Sequence, residues 1–370
     1  MKYYLIAGER SGDFHAAHLM RELREQDPAA NFRFWGGDQM QEQGGELVRH
    51  YQDLAIMGFW EAATSVLKFR GYLKECQKDL LAFKPDVLIL VDYAGFNMRM
   101  ARFAKAQGIK VFYYISPKIW AWNQGRVTQV KASVDRMFTI LPFEPEFYQK
   151  FDYKVDYTGN PTADAVAEFE PSSDFFQRNS LDPQKPIIAV LPGSRKQEIE
   201  EMLHIMLAVL PAFQNYQFVV AGVSNLDPNY YRNFERNGIK YVFEQTYDIL
   251  SHAKGAMVTS GTATLETALF DVPQVVCYRT SAISYAIGKM VIKVPFISLV
   301  NLIAGRKIVE EFIQGDFTAR NIMDELKKLL QDDAYRAAQK AGYAELRQKL
   351  GQHNAARKTA ELMIGYLQTA

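Results

Sequence analysis

A chain of 370 residues with 48% hydrophobic and 23% charged side chains has the composition of a folded globular protein and exceeds what one core usually organises, so two domains are expected. Its 43 basic and 42 acidic side chains leave a formal charge of +1, which supplies no global field for a nucleic-acid backbone; an anionic ligand must be met locally. Cys76 and Cys277 stand far apart with no C-x-x-C, a usage that suits reduced thiols in a cytosol and suggests neither a redox pair nor a zinc site.

The apolar start, Tyr3 to Ala7, is too short for a signal-peptide core, and no window offers the roughly 18 apolar residues of a spanning helix. The expectation is a protein neither exported nor transmembrane. Lys2 to Ala7 reads as a strand, followed by the loop Gly8-Glu9-Arg10-Ser11-Gly12-Asp13 and a helix to about Gln26. Asp86 to Val91 is a continuous apolar run between Pro85 and Asp92, as expected of a parallel strand buried on both faces. Lys110 to Ile115 and Arg136 to Ile140 repeat the pattern with helical stretches between, which predicts a right-handed parallel sheet covered on both sides. This is a first Rossmann-like domain over residues 1–165.

Val155 to Tyr157 and the turn residues Thr158-Gly159-Asn160-Pro161 mark a boundary, with polar sequence following to Pro186. Pro186 to Leu191 restarts the alternation, with a helix from about Gln197 and strands at Gln217 to Ala221, Lys240 to Phe243, Gly255 to Thr259 and Gln274 to Tyr278. A second doubly wound domain is predicted over residues 166–345. From Arg320 good helix formers dominate, and residues 346–370 are expected to form a terminal helix that packs back on an N-terminal domain. The fold class is therefore α/β, two Rossmann-like doubly wound parallel sheets.

In open α/β sheets ligands bind beyond the carboxyl ends of the strands, so residues just after a strand are searched first. Asp92 ends Val87-Leu88-Ile89-Leu90-Val91 and has a hydrophobic wall behind it, where partial burial raises a carboxyl toward the range of a general base. An N-cap for a helix beginning near Phe96 accounts for the same position. Leu191-Pro192-Gly193-Ser194-Arg195 sets a glycine, a hydroxyl and a fixed cation before a helix, the elements of an anion site; Ser194 with Gln197 also fits a capping box. Neither glycine loop has the Walker or G-x-G-x-x-G spacing, which weakens ATPase and dehydrogenase readings.

Ser260-Gly261-Thr262-Ala263-Thr264-Leu265-Glu266 follows another strand and is a second phosphate cradle, with Glu266 placed to bridge two ribose hydroxyls or simply to face solvent. No Asp-x-Asp occurs, and the six histidines give only His15 and His18 as a close pair, so neither a catalytic metal nor a cofactor is expected. A leaving diphosphate would then rest on Arg195 and helix amino termini. Between Ile56 and Tyr72, Met57, Phe59, Trp60, Val66, Leu67 and Phe69 mix with Lys68 and Arg70, a pattern of a lipid-contacting segment or of a half-buried helix over the sheet. Trp120 and Trp122, after another strand, line a cleft or fill a core.

Taken in order, Ala7 to Asp13, Val91-Asp92 through Phe96-Asn97, Ser116-Pro117 through Trp120-Ala121-Trp122, Leu141-Pro142-Phe143-Glu144, Leu191 to Arg195, Ser260 to Glu266 and Asn301-Leu302-Ile303-Ala304-Gly305-Arg306 resemble the lipid-A-disaccharide synthases over nearly the whole chain. The resemblance implies the GT-B architecture, two Rossmann-like domains facing across a cleft. It implies an inverting, metal-independent transferase that joins UDP-2,3-diacylglucosamine to 2,3-diacylglucosamine 1-phosphate, giving a β-1,6-linked disaccharide and UDP. On that resemblance Asp92 is the base, while Gly193, Ser194, Arg195, Ser260, Gly261, Thr262, Ala263, Thr264 and Glu266 form the UDP site. Gly8, Glu9, Ser11, Gly12, Asp13, Asn97, Ser116, Trp120, Trp122, Asn301 and Arg306 fall to the donor and acceptor cleft.

The implied location is the cytoplasmic face of the inner membrane of a Gram-negative bacterium, with the Ile56 to Tyr72 segment on lipid. No nucleic acid is implied, and the carboxy-terminal helices suit a homodimer as well as a monomer. Two departures stand out: some relatives carry a second acid where this chain has Gly95, and a histidine where it has Asn160. A non-hydrolysing UDP-N-acetylglucosamine 2-epimerase is a rival enzyme on similar architecture, and a non-catalytic nucleotide-sugar or lipid-binding protein is another.

Overall fold

Apolar runs with few charges form the central strands of two parallel sheets, one in each of two units. The computed structural model describes residues 1–55, 62–223, 226, 228–234, 238–351 and 354–369. One unit is Met1–Pro161 joined by the last helix, Ala355–Gln368; the other is Thr162–Gly351. The first unit thus ends a few residues before 165. The helix Asp333–Leu350 stays with the second unit, tied to it by Lys340 and Arg347 on Asp271.

In the first unit the strands are β1 (Lys2–Ala7), β2 (Asn31–Gly36), β3 (Glu46–His50), β4 (Val87–Val91), β5 (Lys110–Tyr114), β6 (Arg136–Thr139) and β7 (Asp156–Tyr157). They lie in the order β3-β2-β1-β4-β5-β6-β7, every pair parallel. The second unit has β8 (Ile187–Leu191), β9 (Gln217–Gly222), β10 (Ile239–Phe243), β11 (Ala253–Thr259), β12 (Gln274–Tyr278) and β13 (Glu310–Ile313), in the order β10-β9-β8-β11-β12-β13, also all parallel. The strand order reverses between β1 and β4 in one sheet and between β8 and β11 in the other. At such a switch point the connections leave toward opposite faces and open a crevice at the strands' carboxyl ends.

Period-two alternation explains the unbroken apolar runs. Tyr4, Ile6, Leu88 and Leu90 face one layer of helices with Phe96 and Met100, while Tyr3, Leu5, Val87 and Ile89 face the other with Leu19 and Leu23. The last helix joins that second layer through Ala360, Met363 and Ile364, each large side chain contributing about 1.5–3 kcal/mol by burial. The second unit repeats the arrangement on both faces of its sheet. Strands β2, β3 and β13 carry charged residues where β4, β8 and β12 are uncharged: Arg33 within β2 is neutralised by ion pairs to Asp79 and Glu46.

Candidate active site

Register places the first crevice. Ala7 lies beside Val91, so the loops that begin at Gly8 and Asp92 leave the sheet side by side at the switch point. Asp92 and Tyr93 both hold positive φ, +45° and +46°, before the helix Ala94–Ala106 begins. Two successive left-handed residues cost of order 1–3 kcal/mol each and persist only where the surroundings fix them. Here three contacts do so. The Asp92 N–H donates to the Tyr114 carbonyl at 3.1 Å, and the Asp92 carbonyl accepts from the Asn97 amide at 2.8 Å and the Tyr113 hydroxyl at 2.5 Å. Asn97, fully buried, also donates toward the carbonyls of Ile6 and Val91, so it stitches β1, β4 and the turn together.

The backbone is gripped, and the Asp92 carboxyl lies beside that of Glu9. Tyr93 is the N-cap residue of the helix that follows, one turn earlier than Phe96, and Asp92 precedes the cap position. Burial pushes the Asp92 carboxyl up to about 6; the carboxylate of Glu9 adds to the rise, and Lys118 and the Tyr93 N–H oppose it. This end of the sheet therefore carries two carboxyls from adjacent loops, with one lysine set against them. Sequence reasoning passes over Tyr113, because a tyrosine within an apolar strand reads as packing. Tyr113→Phe is expected to cost about 1 kcal/mol, seen as a lower midpoint in urea unfolding.

Around this centre the other loop residues divide by what they touch. A side chain at Gly8 would overlap the Tyr93 ring, and Gly12 packs against Ala7, so both glycines permit close approach. Ser11 is exposed. Asp13 is buried and accepts backbone N–H groups of Gly37, Gln39 and Met40 at 2.7 to 3.2 Å, so it caps the short helix Asp38–Glu42 and its oxygens face the protein. Ser116 and Trp120 are likewise buried, both donating to Glu144, whose other oxygen accepts from the N–H groups of Ile140 and Leu141. Burial pushes Glu144 up to about 7 against these four donors. Trp122 is half exposed beneath the Arg126 guanidinium. Asn160 donates to the Ile140 carbonyl at 3.0 Å.

In the second unit Leu191 lies beside Val258, and the loops after β8 and β11 again flank a switch point. Gly193 takes φ +110°, and a methyl there would lie 2.5 Å from Glu198 Oε2. The Glu198 carboxylate accepts from the N–H groups of Ser194 and Arg195, so the capping register falls on Arg195 and Glu198, one residue after the Ser194 and Gln197 pairing that the sequence suggests. A glutamate at the third helical position outcompetes a glutamine there because its charge also meets the helix dipole. The Arg195 guanidinium is largely exposed, with only a long contact to Glu198.

Gly261 and Thr262 are exposed at the start of the helix Thr262–Leu269, Ala263 is half-buried, and the Ser260 hydroxyl donates to the Ile297 carbonyl at 2.8 Å. Thr264 points inward: its hydroxyl donates to the Gly261 carbonyl and accepts from the Leu299 N–H. Glu266 accepts from the Tyr247 hydroxyl at 3.4 Å, and burial raises its carboxyl.

Asn301 is fully buried with its amide satisfied by the Val309 carbonyl, Glu311 and the N–H groups of Ile308 and Val309. That set closes the loop into β13 and leaves no lone group on Asn301 for a ligand. Arg306 pairs with Glu345 at the surface. In the lipid candidate segment, Leu67 is 68% exposed, whereas the Phe69 ring packs edge-on against Phe96 at 5.7 Å under Arg99, on the core side. Met57, Phe59 and Trp60 lie outside the described residues, as does the Val66 side chain. Among the described residues no helix is long and apolar enough to cross a membrane.

Two parallel-sheet units of this kind recur in known proteins. The fold is similar to that of a UDP-GlcNAc 2-epimerase from Neisseria meningitidis bound to UDP-GlcNAc (TM-score 0.70, 14% identity, all of both chains). It is also similar to the glycotransferase of kitacinnamycin (TM-score 0.67, 14% identity, 99% of each chain). These likenesses place the chain in the GT-B class of two parallel-sheet α/β domains. In sequence, lipid-A-disaccharide synthases of Myxococcus xanthus (37% identity, 98% of this chain and 97% of the relative) and Coxiella burnetii (36%, 97% and 96%) match almost end to end. The family model described as lipid-A-disaccharide synthetase matches residues 3–364, spanning both crevices and the returning helix, and the chain belongs to that family.

Proposed function

We propose that Asp92 is the general base of a transferase that carries a diacylglucosaminyl group from UDP-2,3-diacylglucosamine to the 6-hydroxyl of 2,3-diacylglucosamine 1-phosphate. The family makes the chain a glycosyltransferase of lipid A synthesis acting on nucleotide-sugar and lipid-sugar substrates. One observation carries the assignment of the base: a carboxyl raised to about 6, presented by a gripped left-handed turn at the switch point. Asp92 takes the proton of the acceptor 6-hydroxyl as its oxygen attacks the anomeric carbon of the donor. The bond from that carbon to the diphosphate breaks on the opposite side, UDP leaves, and the configuration inverts.

In this reading the exposed Arg195 guanidinium and the amino termini after β8 and β11 receive the diphosphate, where fixed dipoles and charge stabilise the leaving group. Gly193, Ser194, Gly261 and Thr262 bring backbone close to it, and Glu266 takes the ribose hydroxyls. Thr264 and Asn301 support the second unit's loops from inside, and Asp13, Ser116 and Trp120 those of the first. Glu266→Ala is expected to raise the KM for the UDP-sugar about tenfold or more while leaving the acceptor KM unchanged, since a pair of hydrogen bonds to an ionised acceptor is removed. Initial rates with each substrate varied in turn read this directly.

The deciding experiment for the function itself incubates the protein with UDP-diacylglucosamine, with and without acceptor, and follows UDP and disaccharide by mass spectrometry. Acceptor-dependent UDP release with one disaccharide per UDP is expected. Release without acceptor, or interconversion of UDP-N-acetylglucosamine with its 2-epimer, would favour the epimerase chemistry. The reading also carries a location on the cytoplasmic face of an inner membrane, where both lipid-sugars reside.

A further inference from the structure

The loop that follows β5 brings a cation to the same end of the first sheet as Asp92. β4 and β5 pair with Val91 beside Tyr114, and the Asp92 N–H donates to the Tyr114 carbonyl, so the two loops leave the sheet together. Ile115 holds φ +64°, rare for a β-branched residue, and the Ile119 N–H donates to the Pro117 carbonyl at 2.6 Å, so the chain turns twice within five residues. Glu144 fixes this loop on both sides, through Ser116 and Trp120. Lys118 stands between those two anchors and is exposed. Among the described residues its ammonium enters no hydrogen bond or ion pair, and it acts on Asp92 through its charge.

Charge defines what this ammonium can take. In the loops after β1, β4, β5 and β6, residues 8–9, 92–93, 115–118 and 140–143, the charged side chains are Glu9, Asp92 and Lys118. Arg10, the first residue of the helix after β1, acts on Tyr51 instead. An acceptor that carries a phosphate therefore meets two carboxyls and one cation. In 2,3-diacylglucosamine 1-phosphate the 6-hydroxymethyl group and the phosphate stand on the two carbons that flank the ring oxygen. A 6-hydroxyl placed on Asp92 thus keeps the phosphate within one sugar's width of it. An ammonium takes phosphate as a point charge, with hydrogen bonds stronger than those between neutral groups. The donor's diphosphate, in the reading above, has its own cation in Arg195 and its own helix amino termini in the second unit. We propose that Lys118 receives the phosphate of the acceptor and makes the protein select a phosphorylated sugar over a neutral one. This assignment rests on the transferase reading above, with Asp92 as its base.

The test compares two acceptors dispersed in detergent, 2,3-diacylglucosamine 1-phosphate and its dephosphorylated form, with UDP-2,3-diacylglucosamine as donor. The unaltered protein is expected to favour the phosphorylated acceptor in kcat/KM by about tenfold or more, and Lys118→Gln to bring the two within about threefold. Lys118→Arg should keep most of the preference, because it keeps the charge. A preference retained in Lys118→Gln overturns the assignment, as does no preference in the unaltered protein. An equal loss on both acceptors would leave Lys118 only the charge that steadies Asp92, and overturns it too. So does a raised KM for the donor with the acceptor preference unchanged, which would give the ammonium to the diphosphate.

Circular dichroism melts that match the parent establish that both variants fold, as expected for changes at an exposed position. Isothermal titration of each acceptor in detergent, without donor, separates the phosphate contact from the assigned reaction. Weaker binding of the phosphorylated acceptor alone by Lys118→Gln supports the contact whether or not turnover occurs. Equal affinities in parent and variant overturn it. No turnover by the unaltered protein would count against the transferase while the titration still decides Lys118.

Discussion

Asp92→Asn lowers kcat by about 10²- to 10⁴-fold, the usual contribution of a positioned general base, with little change in either KM. Asparagine is nearly isosteric and tolerates the left-handed backbone that position 92 requires, so the turn survives and the loss belongs to the chemistry. In the parent, kcat/KM falls on the acid side below about pH 6, because the base must be ionised to accept the proton. Initial rates from pH 4.5 to 8 check both statements; a rate held within a few-fold in Asp92→Asn would remove Asp92 from the reaction.

The same substitution has a signed effect on stability. The folded carboxyl is raised from 3.8 to about 6, so its favourable contribution is complete below about pH 4 and is lost as pH rises through about 6. Above that, ionised Asp92 costs the folded state up to about 3 kcal/mol, which asparagine does not incur. Asp92→Asn is therefore expected to unfold at higher denaturant than the parent at pH 8, with the difference vanishing near pH 4. A protein that becomes more stable as it loses its activity would be the signature of a carboxyl held against its own preference for water.

Glu144→Ala is the second large effect, and it acts through structure. One buried carboxylate accepts from Ser116, Trp120 and the N–H groups of Ile140 and Leu141, joining the loop after β5 to the loop after β6. Removing it orphans four donors in the interior, with an expected loss of about 3 kcal/mol or more. For a domain of this size that lowers the midpoint of thermal unfolding by about 10 °C, which differential scanning calorimetry reads. Glu144→Gln should fall between, because its amide oxygen can serve one pair of donors while its NH₂ opposes the other. Lys118, which lies between Ser116 and Trp120 and steadies the charge on Asp92, loses its fixed mounting in both variants.

Much of this is legible in the order of the amino acids, and the reasons differ from place to place. Val87 to Val91 announces a buried strand because both faces are covered, and the residue after it announces a site because parallel sheets put ligands at that end. β2 hides behind Arg33, whose partners Asp79 and Glu46 are distant in sequence. β13 hides behind Glu310 and Glu311; the second of these accepts from Ser298 and Asn301, a use no local pattern discloses. Asn301, Asp13 and Ser116 show the limit most plainly: a polar residue in a loop beside a crevice has the same sequence signature whether its hydrogen bonds go to a ligand or back into the protein. Only the count of partners separates the two, and that count is three-dimensional.

The ring of Tyr93 over Gly8 carries a mechanical consequence. Because the aromatic plate fills the space that any larger residue at position 8 would need, the bend after the first strand and the bend after the fourth are packed against each other. Any side chain at position 8 must displace the Tyr93 ring, so substitutions there are expected to move the neighbouring turn that carries the Asp92 carboxyl.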